Sequence, residues 1–121
     1  MNAVDFTLMA KAGSEPRSYR NGDTIFREGD KADCLYLIQE GDVEIRLGNR
    51  VLDTLNHGSI FGEMALIDAS PRSATAVAMS DVTVVPVTEK QFLFMVSHTP
   101  YLALNVMRVL ADRLRHMNQA L

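Results

Sequence analysis

From Tyr19 to Val87 the apolar residues fall in short runs, and glycines at 22, 29, 41, 48 and 58, each beside Asp, Asn, Glu or His, punctuate them. The runs are Thr24-Ile25-Phe26, Leu35-Tyr36-Leu37-Ile38, Val43-Glu44-Ile45-Arg46-Leu47 and Val51-Leu52-Asp53-Thr54-Leu55. In the third, Val43, Ile45 and Leu47 alternate with Glu44 and Arg46, the period of a half-buried strand. The second has no polar break and reads as a buried strand. Short strands at regular spacing predict a double-sheet jelly roll or barrel. The β pattern returns in Ser73-Ala74-Thr75-Ala76-Val77-Ala78 and in Val82-Thr83-Val84-Val85-Pro86-Val87. Pro86 has no N–H to donate, which predicts an edge or terminal position for that last strand.

The flanks carry a helical pattern. Residues 5–13 predict a short N-terminal helix with Gly13 as its stop, followed by a linker at 14–17 and β structure from Tyr19. Residues 89–96 predict a helix capped by Thr88. Pro100 opens a longer one, with Thr99 as its N-cap. Along it Leu102, Val106, Leu110, Leu114, Met117 and Leu121 recur at spacings of three and four, one apolar stripe. The stripe either packs on the β-roll of its own chain or pairs with a second copy in a coiled-coil seam. The expected fold class is α+β, an antiparallel β-roll in one domain over 1–121. Residues 1–17 form the helix and linker, 18–87 the roll, including the loop 58–76, and 88–121 the C-terminal helices.

With 121 residues the chain can bury a core without staples. A net charge of −3 offers no footprint for wrapping nucleic acid, so DNA contact by this chain alone is not expected. Cys34 is the only cysteine; it excludes an internal disulfide and, set in a buried strand, reads as a small core residue. There is no basic-then-apolar leader and no apolar run of the roughly 18 residues a membrane span needs, which predicts a cytoplasmic protein without membrane contact. A metal-dependent cupin of this size would gather several histidines, but His57, His98 and His116 are scattered. No metal site, cofactor or catalytic residue is expected, and so no enzyme.

The stretch with chemistry in it is Gly58-Ser59-Ile60-Phe61-Gly62-Glu63-Met64-Ala65-Leu66-Ile67, continuing to Pro71-Arg72-Ser73-Ala74-Thr75-Ala76. Met64–Ile67 suffices for about one helical turn, whose first N–H groups lack internal partners and can face an anion. Gly62 lets a ligand approach the backbone, and Arg72 can meet phosphate charge with its planar fork. Glu63 would repel a phosphate unless it accepts a hydrogen bond from another group of the same ligand, such as a sugar hydroxyl. Phosphate plus sugar hydroxyl implies a nucleotide. The plainer alternative is a Glu63–Arg72 salt bridge that closes the loop.

Phe-Gly-Glu-Met-Ala-Leu followed by Pro-Arg-Ser-Ala-Thr resembles the phosphate-binding cassette of cyclic-nucleotide-binding domains, as in catabolite-activator-type regulators and cyclic-nucleotide-regulated kinases and channels. The resemblance runs from about Arg20 to the C-terminus. It implies that Glu63 takes the ribose 2′-hydroxyl and Arg72 the cyclic phosphate. Gly62, Met64, Ala65, Ser73 and Ala74 would complete the cradle through backbone amides or, for Ser73, its hydroxyl. By family position Ile45, Leu52 and Phe61 would wall the base, though each is also explained as core. Arg113 falls where it can approach Glu63, and Met117 and Asn118 fall where some relatives set hydroxyl residues against the base. The expected ligand is cAMP, with cGMP as the alternative because a hydroxyl at Ser73 can touch a syn guanine.

The implied function is non-catalytic sensing of the cyclic nucleotide, with output to an effector protein or a homodimer interface through movement of the C-terminal helix. Two other readings remain at this stage: a ligand-independent interaction module on the same fold, and the sensor fragment of a longer transcription regulator, channel or kinase.

Overall fold

The computed structural model describes residues 6–68 and 70–119, apart from the side chains of Leu8 and of 117–119. Its strands are β1 (Arg17–Tyr19), β2 (Thr24–Phe26), β3 (Cys34–Glu40), β4 (Val43–Leu47), β5 (Arg50–Leu55), β6 (Ile60–Phe61), β7 (Thr75–Ala78) and β8 (Val82–Thr88). They make two antiparallel four-stranded sheets, ordered β1-β8-β3-β6 and β2-β7-β4-β5. The helices are α1 (Glu89–His98) and α2 (Tyr101–Gln119), with 3-10 turns at Thr7–Lys11 and Glu63–Leu66. This is the expected jelly roll with helices at its flanks.

The first sheet is buried on both faces, which explains the unbroken apolar run of β3. Leu35 and Leu37 pack with Ile60, Val85 and Val87 against Phe6 and Met9 at the N-terminus, Met95 on α1 and Val106 on α2. Tyr36 and Ile38 point the other way, between the sheets, with Val43, Phe61, Ala76, Ala78 and Val84. β5 is different: it is one of the two edge strands of the second sheet and is exposed almost throughout.

Pro86 corrects one expectation. β8 is central, flanked by β1 and β3, but β1 pairs only with Val82–Val84. The Pro86 carbonyl accepts from Ser14 N–H at 2.8 Å, on the side away from β3. A residue's N and carbonyl lie on the same side of an antiparallel strand, so the missing donor faces the place where β1 has already ended. The strand is interior; the proline sits on a local edge.

The helical flanks follow the pattern with two changes. Thr88 caps α1 in a capping box with Gln91, whose side chain accepts from Thr88 N–H at 2.9 Å. Thr99 instead closes α1, its N–H donating to the Met95 carbonyl, and α2 begins at Tyr101. The N-terminal element is a 3-10 turn, and Gly13 follows it because a Cβ there would stand 2.5 Å from Val85 Cγ1. Asp5 lies outside the described residues.

The α2 stripe divides. Leu102, Val106 and Leu110 pack on the helix-side core, whereas Leu114 is 61% exposed. Leu104, Met107 and Leu114 form a second, exposed row at spacings of three and seven. Met117 falls among the undescribed side chains, and Leu121 lies outside the described residues. Among the described residues no helix is long and apolar enough to cross a membrane.

Candidate ligand-binding site

The site is built where β6 runs out. Gly62 has φ +74°, a left-handed conformation that costs other residues a steric penalty, and it turns the chain from the strand into the 3-10 turn at Glu63–Leu66. A Cβ at Gly62 would also stand 2.6 Å from Arg72 Nη1. Ala65 N–H donates to the Gly62 carbonyl at 3.2 Å; no acceptor among the described residues takes the N–H groups of Glu63 and Met64.

Arg72 is pinned from a distance. Its N–H donates to the Asp30 carbonyl and its carbonyl accepts from Gly29 N–H, both at 2.8 Å. The turn that supplies these groups is closed by Asp30, whose carboxylate accepts from Arg27 N–H at 2.9 Å. The side chain then runs inward and is 6% exposed. Nη2 donates to the Cys34 carbonyl at 2.7 Å and Nη1 to the Gly62 carbonyl at 3.1 Å. Cζ lies 4.2 Å from the centre of the Phe26 ring and 5.5 Å from that of Tyr36. Nε is buried without a hydrogen-bond partner, and among the described residues no carboxylate pairs with this guanidinium. A buried cation in that state is costly unless an anion joins it.

Glu63 is buried too, at 5% exposure, but its partner is Arg113 of α2, through Nη1 and Oε1. Arg113 Nη2 also donates to the Ile60 carbonyl, so one α2 side chain holds both the start of β6 and the turn that follows the strand. The loop-closing salt bridge between Glu63 and Arg72 is therefore not the arrangement; each charge has a different environment.

The remaining expected residues spread around this centre. Ala74 is buried and Ala65 half-buried, while Met64 and Ser73 are exposed. Phe61 is fully buried between the sheets and Ile45 packs against the same cluster from β4. Leu52, at 42% exposure on the edge strand, is not core. The side chains of Met117 and Asn118 lie outside those described.

Three contributors lie outside every motif: Phe26, Tyr36 and the backbone of Cys34. Burial pushes the Cys34 thiol up and keeps it neutral beside Arg72. Burial first, and the neighbouring Cys34 second, push the Tyr36 phenol up to about 12. No spacing rule connects positions 26, 34 and 36 to position 72. The only signal was their place on strands, since Phe26 comes from the second sheet and Tyr36 from the first. A shallow depression bordered by Thr7, Ala10, Gln39, Glu40 and Thr83 lies apart from these residues.

Comparison with known proteins agrees with this geometry. The family model described as "Cyclic nucleotide-binding domain" matches residues 16–99. A "Cyclic AMP receptor protein" of Thermus thermophilus is 38% identical over 104 residues, covering 82% of this chain and 48% of that protein. A "cAMP-dependent protein kinase regulatory subunit" of Debaryomyces hansenii is 43% identical over 68 residues, covering 56% of this chain and 15% of that one. The crystal structure of the Thermus thermophilus catabolite activator protein superposes with a TM-score of 0.82 at 35% identity, over 93% of this chain and 55% of that one. The chain thus spans about half the length of the bacterial relative. It belongs to the cyclic nucleotide-binding domain family.

Proposed function

We propose that the chain binds and senses cAMP, with cGMP as the competing ligand, and does not turn it over. The observation that carries this reading is Arg72: a buried guanidinium with no carboxylate partner among the described residues and an unpartnered Nε. A cyclic phosphate supplies the missing charge and an acceptor in one group. Glu63, nine residues earlier and anchored from α2, is the acceptor for the ribose 2′-hydroxyl. Gly62, Met64, Ala65, Ser73 and Ala74 complete the cradle, with Ile45, Leu52 and Phe61 on the base side. That two relatives are named for cyclic AMP supports the lean toward adenine.

The output follows from the same contacts. Glu63 is held by Arg113, so a ligand hydroxyl at Glu63 acts directly on the contact that ties α2 to the cassette. Ligand contacts that differ between two positions of α2 shift the population toward one of them. The exposed row Leu104, Met107 and Leu114 is the face such a shift offers to a second copy or an effector protein. In this role the chain is a cytoplasmic sensor module that makes no DNA contact of its own. The same exposed row favours a second reading, a docking module that needs no ligand.

A thermal-shift screen with cAMP, cGMP and AMP separates the two. A ligand at a hundredfold excess over Kd adds about 2.7 kcal/mol, a rise of roughly 8–15 °C for a chain of this size. A rise with a cyclic nucleotide and not with AMP is the expected result; no rise with any of the three defeats the sensor reading.

A further inference from the structure

The contacts of Arg72 are of two kinds. The Gly62 and Cys34 carbonyls accept from the two Nη atoms. The cation also stands over the face of Phe26, with Cζ 4.2 Å from the ring centre. Nε is left over, buried and unpartnered. Phe26 is itself fixed by two further rings, Tyr36 at 5.9 Å and Phe61 at 5.8 Å between centres, and those two stack at 5.2 Å with 20° between their planes. The three rings come from β2, β3 and β6, so both sheets contribute to one aromatic cluster, with Phe26 and Tyr36 under the cation. Gly62 leaves room for the guanidinium, since a Cβ there would stand 2.6 Å from Arg72 Nη1.

We propose that Phe26 is a positioning residue for anion binding: its π face holds the Arg72 guanidinium flat and in place before the ligand arrives, leaving Nε to receive it. This rests on the cyclic-nucleotide reading of the site and adds the device that orients its central charge. A neutral hydrocarbon of equal size would fill the same space but lacks the quadrupole that attracts a cation, an attraction that strengthens when both partners are desolvated. An arginine fixed in advance also has less freedom to lose on binding. Phe61 acts one step further back, by fixing the Phe26 ring, while Tyr36, its centre 5.5 Å from Arg72 Cζ, adds a weaker contact of its own.

The test is a double-mutant cycle read by calorimetric titration with cAMP. Phe26→Leu is expected to weaken binding about tenfold, and Phe26→Tyr, which keeps the π face, to stay within about twofold of the wild type. In an Arg72→Met background, where no cation remains over the ring, Phe26→Leu is expected to change affinity by less than about threefold. A folded Phe26→Leu protein with wild-type affinity overturns the proposal, as does an equal loss in both backgrounds, which marks a packing effect.

A second readout needs neither a ligand nor a foldable leucine variant. In the free wild-type protein the Arg72 Nε–H resonance, assigned by its loss in Arg72→Lys, is expected upfield of the other arginines through the Phe26 ring current. An ordinary shift there overturns the proposal. If wild-type protein binds no cyclic nucleotide, the functional reading fails, and this resonance still decides whether Phe26 holds the arginine.

Discussion

Replacing Arg72 by methionine probes the site at its most asymmetric point. In the free protein the guanidinium is 6% exposed, donates to two backbone carbonyls and leaves Nε without a partner. Methionine removes a buried charge, which favours the folded state, but also takes a donor from the Cys34 carbonyl and leaves the Gly62 carbonyl with Ala65 N–H alone, at about 1–3 kcal/mol in all. These effects oppose one another at similar size, so the melting temperature of the free protein is expected to move little. Binding has no such compensation. A phosphate that loses its charge-assisted hydrogen bond to Nε, at about 1.5–3 kcal/mol, binds roughly 10- to 150-fold more weakly. Calorimetric titration with cAMP at fixed ionic strength, on protein shown by circular dichroism to be folded, measures this. Arg72→Lys, which keeps the charge and loses the fork, should fall between the wild type and methionine. Wild-type affinity in the methionine variant refutes the assignment of Arg72 as the phosphate partner.

Other expectations test the neighbouring groups. Glu63→Gln keeps an acceptor and should weaken cAMP binding less than Arg72→Met does; 2′-deoxy-cAMP binding the native protein as well as cAMP would remove Glu63 from the ribose. Arg113→Ala leaves the buried Glu63 carboxylate without its cation and should destabilise the free protein by about 1–3 kcal/mol in urea denaturation, with Glu63→Gln in the same chain recovering part of it. Tyr36 sets a pH dependence: its folded-state value of about 12 lies above the ordinary 10.0, so burial favours the neutral phenol. The associated stability is complete below pH 10 and is lost as pH rises from 10 to 12, about 2–3 kcal/mol in all. Tyrosinate absorbance should show one of the three tyrosines ionising late, and Tyr36→Phe should abolish that step.

Much of the roll was legible because its strands obey local rules. The unbroken apolar run of β3 and the Thr88 cap of α1 each depend on neighbours within a few residues, and each took the expected form; β4 is a strand, but its burial does not alternate, since Leu47 is 43% exposed. Pro86 misled because a missing donor reports which side of a strand is unpaired at one residue, not where the strand lies in its sheet. The α2 stripe was legible as apolar but not as divided, since the division depends on how far the body of the roll extends beneath the helix. Leu110 still rests on it; Leu114 does not. In the site, Gly62, Glu63 and Arg72 stand close in sequence and declare themselves. Phe26, Cys34 and the Gly29–Asp30 turn reach Arg72 only through the pairing of distant strands, and no periodicity encodes that meeting.

The central claim, that one nucleotide is held through its phosphate by Arg72 and through its ribose by Glu63, is tested most directly by a crystal structure of the protein with cAMP. The account predicts the cyclic phosphate within hydrogen-bond distance of Arg72 Nε and the 2′-hydroxyl on the Glu63 carboxylate. A nucleotide bound elsewhere, or one bound here with Nε still unpartnered, contradicts it.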